Sequence, residues 1–220
     1  MARLKQGILS GFSGRVGKVV GSSWKGKDIM RALPTSVTDP NSKGQKSQRT
    51  KFGIAGKFVF ANLDAVKMGF KSHSKGMSAA NAAMAYNLSN AIQGEFPEHE
   101  LDFSKVQLSR GPLTPPTGAG AVAGENSTLT INWSSTGVLG KPTDNDMLMV
   151  SLYNPVTAYA AWYEACATRA DESVTLITPP EWAGQNIEVF CFFVSALPAS
   201  ELRPAERTSY TVYCGNVLLT

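Results

Sequence analysis

The sequence predicts an α+β protein in which a basic N-terminal β-hairpin and two helices precede a C-terminal immunoglobulin-like or fibronectin-III-like β-sandwich. Two observations predict this order. Apolar residues recur every three to four positions in the middle of the first half and every second position in the last part. A stretch rich in Pro and Gly, residues 108–127, separates the two patterns. At 220 residues the chain is long enough to bury a substantial core.

The N-terminal hairpin is predicted from "GRVGKVVGSSWKGKDIMR", residues 14–31. Val16, Val19 and Val20 favour a first strand, "KGKD" provides a turn at Gly26, and the following apolar residues favour a second strand. Glycines within strands mark bulges or places where another backbone comes close. The glycines that we assign to such close approach are Gly14, Gly17 and Gly21. An isolated hairpin is only marginally stable, so it must pack on its own body or on a neighbour.

Two helices are predicted after the hairpin. Asp39 followed by Pro40 is a favourable helix start, with a capping side chain and then proline at the first helical position. The apolar face of this helix comprises Phe52, Ala55, Val59, Leu63, Val66 and Phe70. A second helix is predicted to begin at the capping residue Ser78 and to stop at Gly94.

The domain organisation follows from these patterns. Residues 1–107 are predicted to form the basic hairpin-and-helix domain, residues 108–127 a linker, and residues 128–220 the sandwich domain. Six segments with a period of two, separated by turn signals, follow residue 127, which is typical of a sandwich.

The charge of the chain is divided by position. Residues 1–75 contain fifteen Lys and Arg against three acidic residues, a net charge of +12, whereas residues 76–220 contain six against fourteen, a net charge of −8. A basic block of this kind indicates an anionic partner. That partner is either nucleic acid, bound through residues 1–75, or the acidic half of another copy of the chain in a head-to-tail assembly.

The residues that we expect to take part in assembly or anion binding lie in the hairpin and at the start of the first helix. They are Arg15, Lys18, Trp24, Lys25, Lys27, Arg31, Lys46 and Arg49. The basic side chains would contact phosphates or the acids of a partner. Trp24 would either stack on a base or serve as a packing anchor.

No motif in the sequence indicates catalysis. Residues 21–28, "GSSWKGKD", approach a phosphate-binding loop, but Asp28 stands where Ser or Thr must bind Mg²⁺. Cys166, Cys191 and Cys214 are too far apart for a metal motif, so we expect buried free thiols. We therefore expect a protein that is not an enzyme and has no cofactor and no metal site.

The sequence also allows a prediction of where the protein is located. It has no apolar run of about 18 residues, so we expect no membrane span. Its first residues lack the apolar stretch of a signal peptide, which predicts cytoplasmic synthesis, with a virion or a released assembly as the destination.

Several motifs resemble an uncharacterised family of Bacteroidota proteins known as a domain of unknown function. Residues 16–31 match its VGxxxGxxWKGxxxxR start. Gln45, Gln48, Arg49 and Phe52 match an NPxTxxQxxQRxKF-like segment, in which Asp39 replaces Asn. The resemblance covers residues 5–113 and continues weakly beyond. It implies no activity and no catalytic residues, and its second segment is similar to phage-derived proteins, which favours a virion-like structural role.

Three hypotheses for function remain at this point. The first is a non-enzymatic, self-assembling, phage-like or virion-like structural protein, a homo-oligomer whose basic N-terminal part is the assembly joint and whose sandwich is exposed. The second is a nucleic-acid-associated protein, whose binding would weaken steeply with salt. The third is a binding module whose sandwich loops recognise a protein or a glycan.

Overall fold

The computed structural model describes residues 3–4, 12–24, 27–36, 39–73, 76–136, 142–198, 200–201, 203 and 206–220. Within residues 3, 4 and 24 only the backbone is described. The chain divides into two compact units, Met1–Ser42 and Lys43–Thr220. We describe each unit by itself.

The described residues of the N-terminal unit form one antiparallel sheet. Its strands, in their order across the sheet, are β1 (Arg3–Leu4), β2 (Phe12–Val16), β3 (Val19–Trp24) and β4 (Lys27–Ala32). The predicted hairpin is confirmed as β3 and β4. Its predicted first strand, however, contains a turn, because Gly17 adopts φ +57° and its carbonyl accepts a hydrogen bond of 2.9 Å from Arg15 Nε. Lys25 and Gly26, the predicted turn, lie outside the described residues.

The second unit begins with helices α1 (Lys43–Ala61), α2 (Leu63–Gly69) and α3 (Ala79–Asn90). The start predicted at Asp39 and Pro40 is wrong. The Asp39 carboxylate instead accepts a hydrogen bond from the backbone N–H of Asn41, which adopts φ +48°, so these residues form a turn before α1. The predicted cap of α3 is confirmed, because Ser78 Oγ accepts a hydrogen bond of 3.2 Å from Asn81 N.

The helix predicted to end at Gly94 ends earlier. A short hairpin of β5 (Ile92–Gln93) and β6 (Glu100–Leu101) follows α3, and Gly94 lies in its turn with φ +79°. Short 3₁₀ turns complete the irregular regions, at Lys71–His73, Phe103–Lys105, Arg169–Asp171 and Pro180–Trp182.

Seven antiparallel strands form the predicted sandwich. They are β7 (Thr117–Gly124), β8 (Thr128–Ser134), β9 (Met147–Asn154), β10 (Tyr159–Thr168), β11 (Ser173–Ile177), β12 (Asn186–Val194) and β13 (Val212–Leu218). One sheet has the order β10-β9-β12-β13 and the other β11-β8-β7. Alternate side chains of both sheets, such as Leu129, Ile131, Leu152 and Val189, fill the interior. This arrangement is that of immunoglobulin-like and fibronectin-III-like domains.

The helices share a core with the sandwich. Phe58 of α1 makes edge-on contacts with Tyr153 and Phe190, at ring-centroid distances of 5.0 and 5.5 Å, on the outer face of the four-stranded sheet. Asn62 interrupts the predicted first helix, and its side chain accepts a hydrogen bond of 2.5 Å from Ser151 Oγ of β9. Phe52, which was expected on the buried face, is 58% exposed.

The boundary between the two units therefore differs from the expected one. The structure divides the chain after residue 42 rather than at a linker over residues 108–127. Leu113, within that stretch, is buried and donates a backbone hydrogen bond to Thr208, and residues 117–124 form β7. Alanines at alternate positions of β7 pack into the sandwich core, which allows a Gly-rich segment to form a strand.

No helix in the described part of the chain combines the length and the apolar character needed to cross a bilayer.

Candidate assembly and anion-binding surface

Pairing in the N-terminal sheet brings three of the predicted basic residues to one face. Arg15 of β2 pairs with Val20 of β3, and Val20 pairs with Arg31 of β4. Directly paired residues of antiparallel strands lie on the same face, so Arg15 and Arg31 flank Val20, with roughly 10 Å between their Cα atoms. Lys27 lies on the same face, because it is four residues from Arg31 along β4. All three basic residues are exposed, so this face is positively charged.

The opposite face of this sheet is largely apolar, although Asp28 also lies on it, two residues from Met30 along β4. Met30 is 70% exposed, Val16 57% and Val19 39%. Single exposed apolar residues are normal on protein surfaces, but here they occupy neighbouring strands of a single sheet. Within the described part of the N-terminal unit, only the Phe12 ring lies against this face, next to Gly21, and there is no second layer of the kind that usually covers the apolar side of a sheet.

The three predicted glycines have different roles in this sheet. Gly21 is buried, and a Cβ there would collide with the carbonyl oxygen and the ring of Phe12 in β2. The close neighbour of Gly21 is therefore its own chain. Gly17 supplies the positive φ of the turn and Gly14 has φ +112°, a conformation that other residues rarely adopt.

The structure describes the other predicted residues of the hairpin only in part. Lys18 lies in the turn between β2 and β3 and is exposed. Trp24 is the last residue of β3 and pairs with Lys27, but its side chain lies outside the described part, as does the whole of Lys25. Stacking or anchoring by Trp24 stays a prediction.

Lys46 and Arg49 lie on α1, in the second unit, and both are exposed. The five basic residues of α1 are Lys43, Lys46, Arg49, Lys51 and Lys57, and the helix has no acidic residue. Basic residues in the first turn oppose the helix dipole. The start of α1 is held by a hydrogen bond of 2.8 Å between Ser47 Oγ and His99 Nε2, which connects it to the β5–β6 hairpin. The predicted basic residues therefore form two surfaces, one in each unit.

The near-match to a phosphate-binding loop is not supported by its surroundings. Residues 21–24 belong to β3 and residues 27–28 to β4, so this segment joins two antiparallel strands and does not open a helix. A phosphate-binding loop requires a helix N-terminus at that point.

The cysteines lie in the sandwich and are free. Burial raises the pKa of Cys166 to about 11. The hydrogen bond with Cys214, whose Sγ lies 3.1 Å from that of Cys191, raises the pKa of Cys191 well above its ordinary value, and burial adds to the effect. A thiol acts as a nucleophile only as the thiolate, so these environments do not favour reactivity.

One open cleft of about 490 Å³ lies beside α2 and β10. Its lining residues are Asp64, Lys67, Met68, Lys71, Trp162 and Glu164. Asp64 and Lys67, three residues apart on α2, form an exposed ion pair of 3.0 Å. The lining has no Ser, Thr, Cys or His side chain. In the described part of the chain, no group of three or more His, Cys, Asp or Glu residues is arranged to hold a metal ion.

Together these features define a class of protein: a β-sandwich with helices packed on one sheet, preceded by a separate sheet with one basic face. Residues 11–201 match the family of unknown function DUF6266. The chain belongs to this family. No curated protein matches the chain.

Similar solved structures include the solution structure of the fn3 domain of human collagen alpha-1(XX) chain. It matches 51% of this chain over 90% of its own length, with 17% identity and a TM-score of 0.33. The assignment of a sandwich fold rests on the strand order that we observe in the two sheets of this chain.

Proposed function

We propose that the protein is a non-enzymatic structural subunit that assembles with copies of itself, and that the N-terminal sheet is the joint. The observation that carries this proposal is the exposed apolar face of that sheet, with Val16, Val19 and Met30 on its surface. A phage-like or virion-like particle is the setting that the sequence resemblance suggests.

The physical argument begins with the layers of the N-terminal unit. A stable sheet buries its apolar face against a second layer, since a few strands in water are only marginally stable. The outermost strand, β4, is exposed at all six of its residues. No described strand pairs with its outer edge, where backbone donors and acceptors are available for another strand. A neighbouring copy could supply both the second layer and the edge contact.

The charge distribution favours a head-to-tail contact over a contact between two N-terminal sheets. The basic face of one sheet would repel that of another, whereas the sandwich unit of one neighbour offers it acidic residues while another neighbour covers the apolar face. Asp144, Asp171 and Glu172 are exposed in adjacent loops, which a backbone hydrogen bond of 3.1 Å from Ala170 N to Asp144 O joins. The backbone N–H of Thr168 lowers the pKa of Asp171, and the Ser135 hydroxyl lowers that of Glu172, so both stay ionised at neutral pH.

The substitution Met30→Lys tests the joint. It should remove the assembly, because a lysine would have to be buried in the contact, while the fold of the sandwich unit stays intact. Met77→Lys is the matched control, since Met77 is 50% exposed but belongs to the second unit. The measurement is light-scattering mass after size exclusion. An equal effect of the two substitutions, or none, would contradict the proposal.

Nucleic-acid association is the second candidate function. It is favoured by α1, in which every charged residue is basic. Phosphate contacts by Lys46 and Arg49 would give binding that falls log-linearly with salt concentration, because condensed counterions are released on binding. A titration of a short duplex or single strand against the chain at several salt concentrations tests this candidate. Lys46→Glu should weaken the binding and reduce the salt dependence by about one unit.

A further inference from the structure

Two buried cysteines of the sandwich lie against each other. Cys191 belongs to β12, and Cys214 belongs to β13, the strand that pairs with β12. Both side chains are part of the sandwich core, where Cys191 is fully buried and Cys214 is 7% exposed. Their Sγ atoms are 3.1 Å apart, and both are free thiols. Joining the two sulfurs would therefore not require the strands to separate or to change their pairing.

A β-bulge in β13 produces this contact. The register shifts between Val189 and Phe190 of β12, and Cys214 has no residue directly opposite it. In a regular antiparallel ladder, residues on neighbouring strands that are two positions out of register are about 7–8 Å apart. The bulge places Cys214 nearer to Cys191 than that. The next residue, Gly215, has φ +114°, which other residues rarely adopt, so this backbone is specialised for the bulge.

The third cysteine is not placed to compete for this contact. Cys166 lies in β10, and β9 separates that strand from β12. Neighbouring strands are about 4.8 Å apart, so the Cα atoms of Cys166 and Cys191 are separated by about 10 Å or more, which is too far for a disulfide. The Cys166 thiol instead donates a hydrogen bond of 3.4 Å to the Leu148 carbonyl oxygen. Cys166 is therefore a control cysteine within the same sandwich.

We propose that Cys191 and Cys214 form a disulfide bond when the chain folds in an oxidising environment, and that this bond fixes β13 to the sandwich. In a reducing environment the two residues remain thiols. The bond closes the segment that connects β12 to β13, which constrains the unfolded chain and thereby stabilises the folded one. Both cysteines belong to the second unit, so the inference does not depend on assembly through the N-terminal sheet.

The oxidant for this reaction is a small disulfide of the class of oxidised glutathione. The thiolate of Cys214 attacks one sulfur of the oxidant, which forms a mixed disulfide and releases one glutathione thiolate. The thiolate of Cys191 then attacks the Cys214 sulfur, which forms the protein disulfide and releases the second glutathione thiolate. The protons of the two cysteine thiols end on the two glutathiones. Two cysteines are thus oxidised while one molecule of oxidant is reduced.

Burial determines when this exchange takes place. The hydrogen bond with Cys214, together with burial, keeps the pKa of Cys191 well above its ordinary value, so its thiolate is scarce in the folded chain. The bond should therefore form during folding, before the core closes over the two sulfurs. Once formed, it should be protected by the same core from small reductants.

The experiment is refolding of the full chain from denaturant, either in reduced glutathione alone or in a mixture of reduced and oxidised glutathione. The products are denatured without reductant, their remaining thiols are alkylated, and the labelled cysteines are identified by peptide mass spectrometry. We expect a label on all three cysteines after refolding in reduced glutathione, and on Cys166 alone after oxidative refolding. The oxidised form should melt about 5–15 °C above the reduced form.

Two variants assign the effect to the pair. Cys166→Ser, the matched control, should keep the difference in melting temperature between the oxidised and the reduced form. Cys214→Ser should lose that difference. Each variant is compared with itself in the two redox conditions, so a general loss of stability caused by the substitution does not affect the comparison.

A label on all three cysteines after oxidative refolding would overturn the inference. A disulfide that includes Cys166, a bond between two chains or a glutathione that remains attached to Cys214 would overturn it as well. A bond between Cys191 and Cys214 that leaves the melting temperature unchanged would contradict its role in fixing β13. None of these outcomes depends on the mass of the assembly, so this inference and the proposed function can fail separately.

Discussion

At the scale of single residues, the most constrained group in the sandwich is a buried ion pair. Arg169 is 2% exposed and Asp146 is fully buried. The Nε and Nη2 atoms of Arg169 donate hydrogen bonds of 3.2 and 3.1 Å to Asp146 Oδ2, and the guanidinium lies 4.0 Å from the centre of the Phe193 ring. Thr143 donates to the same carboxylate through its backbone N–H and its hydroxyl. The pair therefore connects the loops before β9 and after β10.

Removing one partner of this pair should destabilise the sandwich strongly. Asp146→Ala leaves the Arg169 charge buried without its counterion, which typically costs about 3–5 kcal/mol in free energy of unfolding. Urea denaturation followed by tryptophan fluorescence measures this loss. Asp144→Ala, a neighbouring exposed aspartate, should change the free energy by less than about 0.5 kcal/mol. Similar losses for the two variants would contradict the structural role of the pair.

The exposed Glu172 should make stability depend on pH in the acid range. Its carboxylate accepts hydrogen bonds from the Ser135 hydroxyl and backbone N–H, which lower its pKa below the ordinary value of 4.5. The contribution to stability is therefore complete above that value and is lost as the pH falls through the lowered pKa. The difference in unfolding midpoint between the unmodified chain and Glu172→Gln should shrink on acidification. A difference that is constant with pH would contradict this account.

At the scale of elements, two helical glycines have opposite expected effects. Gly53, in the middle of α1, has no atom within 4 Å of where its Cβ would be, whereas a Cβ on Gly69 of α2 would collide with the Leu108 carbonyl oxygen and with Ser109. Glycine is required by packing at the second position and by nothing in the described chain at the first.

Replacing each glycine by alanine tests this difference. Gly53→Ala should raise the free energy of unfolding by about 0.5–1 kcal/mol, because alanine loses less backbone entropy in a helix. Gly69→Ala should lower it by about 1–3 kcal/mol through overpacking. Thermal and urea unfolding measure both. If both variants are destabilised, another constraint acts on Gly53.

Elements in which apolar residues recur with a clear period were predictable from sequence. Elements that depend on tertiary contacts were not. The strands from β8 to β13 follow from alternating apolar residues, and the start of α3 follows from Ser78. Strand β7 was assigned to a linker because its glycines suggest a loop, although Ala119, Ala121 and Ala123 keep the period of two. Sequence could not show that Gly17 turns the chain, and that turn is what puts Arg15 and Arg31 on one face.

At the scale of the whole molecule, the division after residue 42 changes how the uneven distribution of basic and acidic residues along the sequence is interpreted. The basic block of the sequence is shared between the N-terminal sheet and the outer surface of α1, which belong to different units. The apolar face of the sheet was not visible in the sequence, because it depends on the register between strands. The apolar face is the basis of the joint that we propose.

The most direct test is the molar mass of the unmodified chain by light scattering after size exclusion, in low and in high salt, with absorbance at 260 and 280 nm. The account predicts a mass of many copies in low salt that falls only in part in high salt, because screening removes the attraction of the basic face but not the burial of the apolar face, with a protein-like absorbance ratio in both. A single copy in both salts would contradict assembly through the N-terminal sheet. A high mass with the absorbance of nucleic acid would instead favour phosphate binding by the basic surfaces.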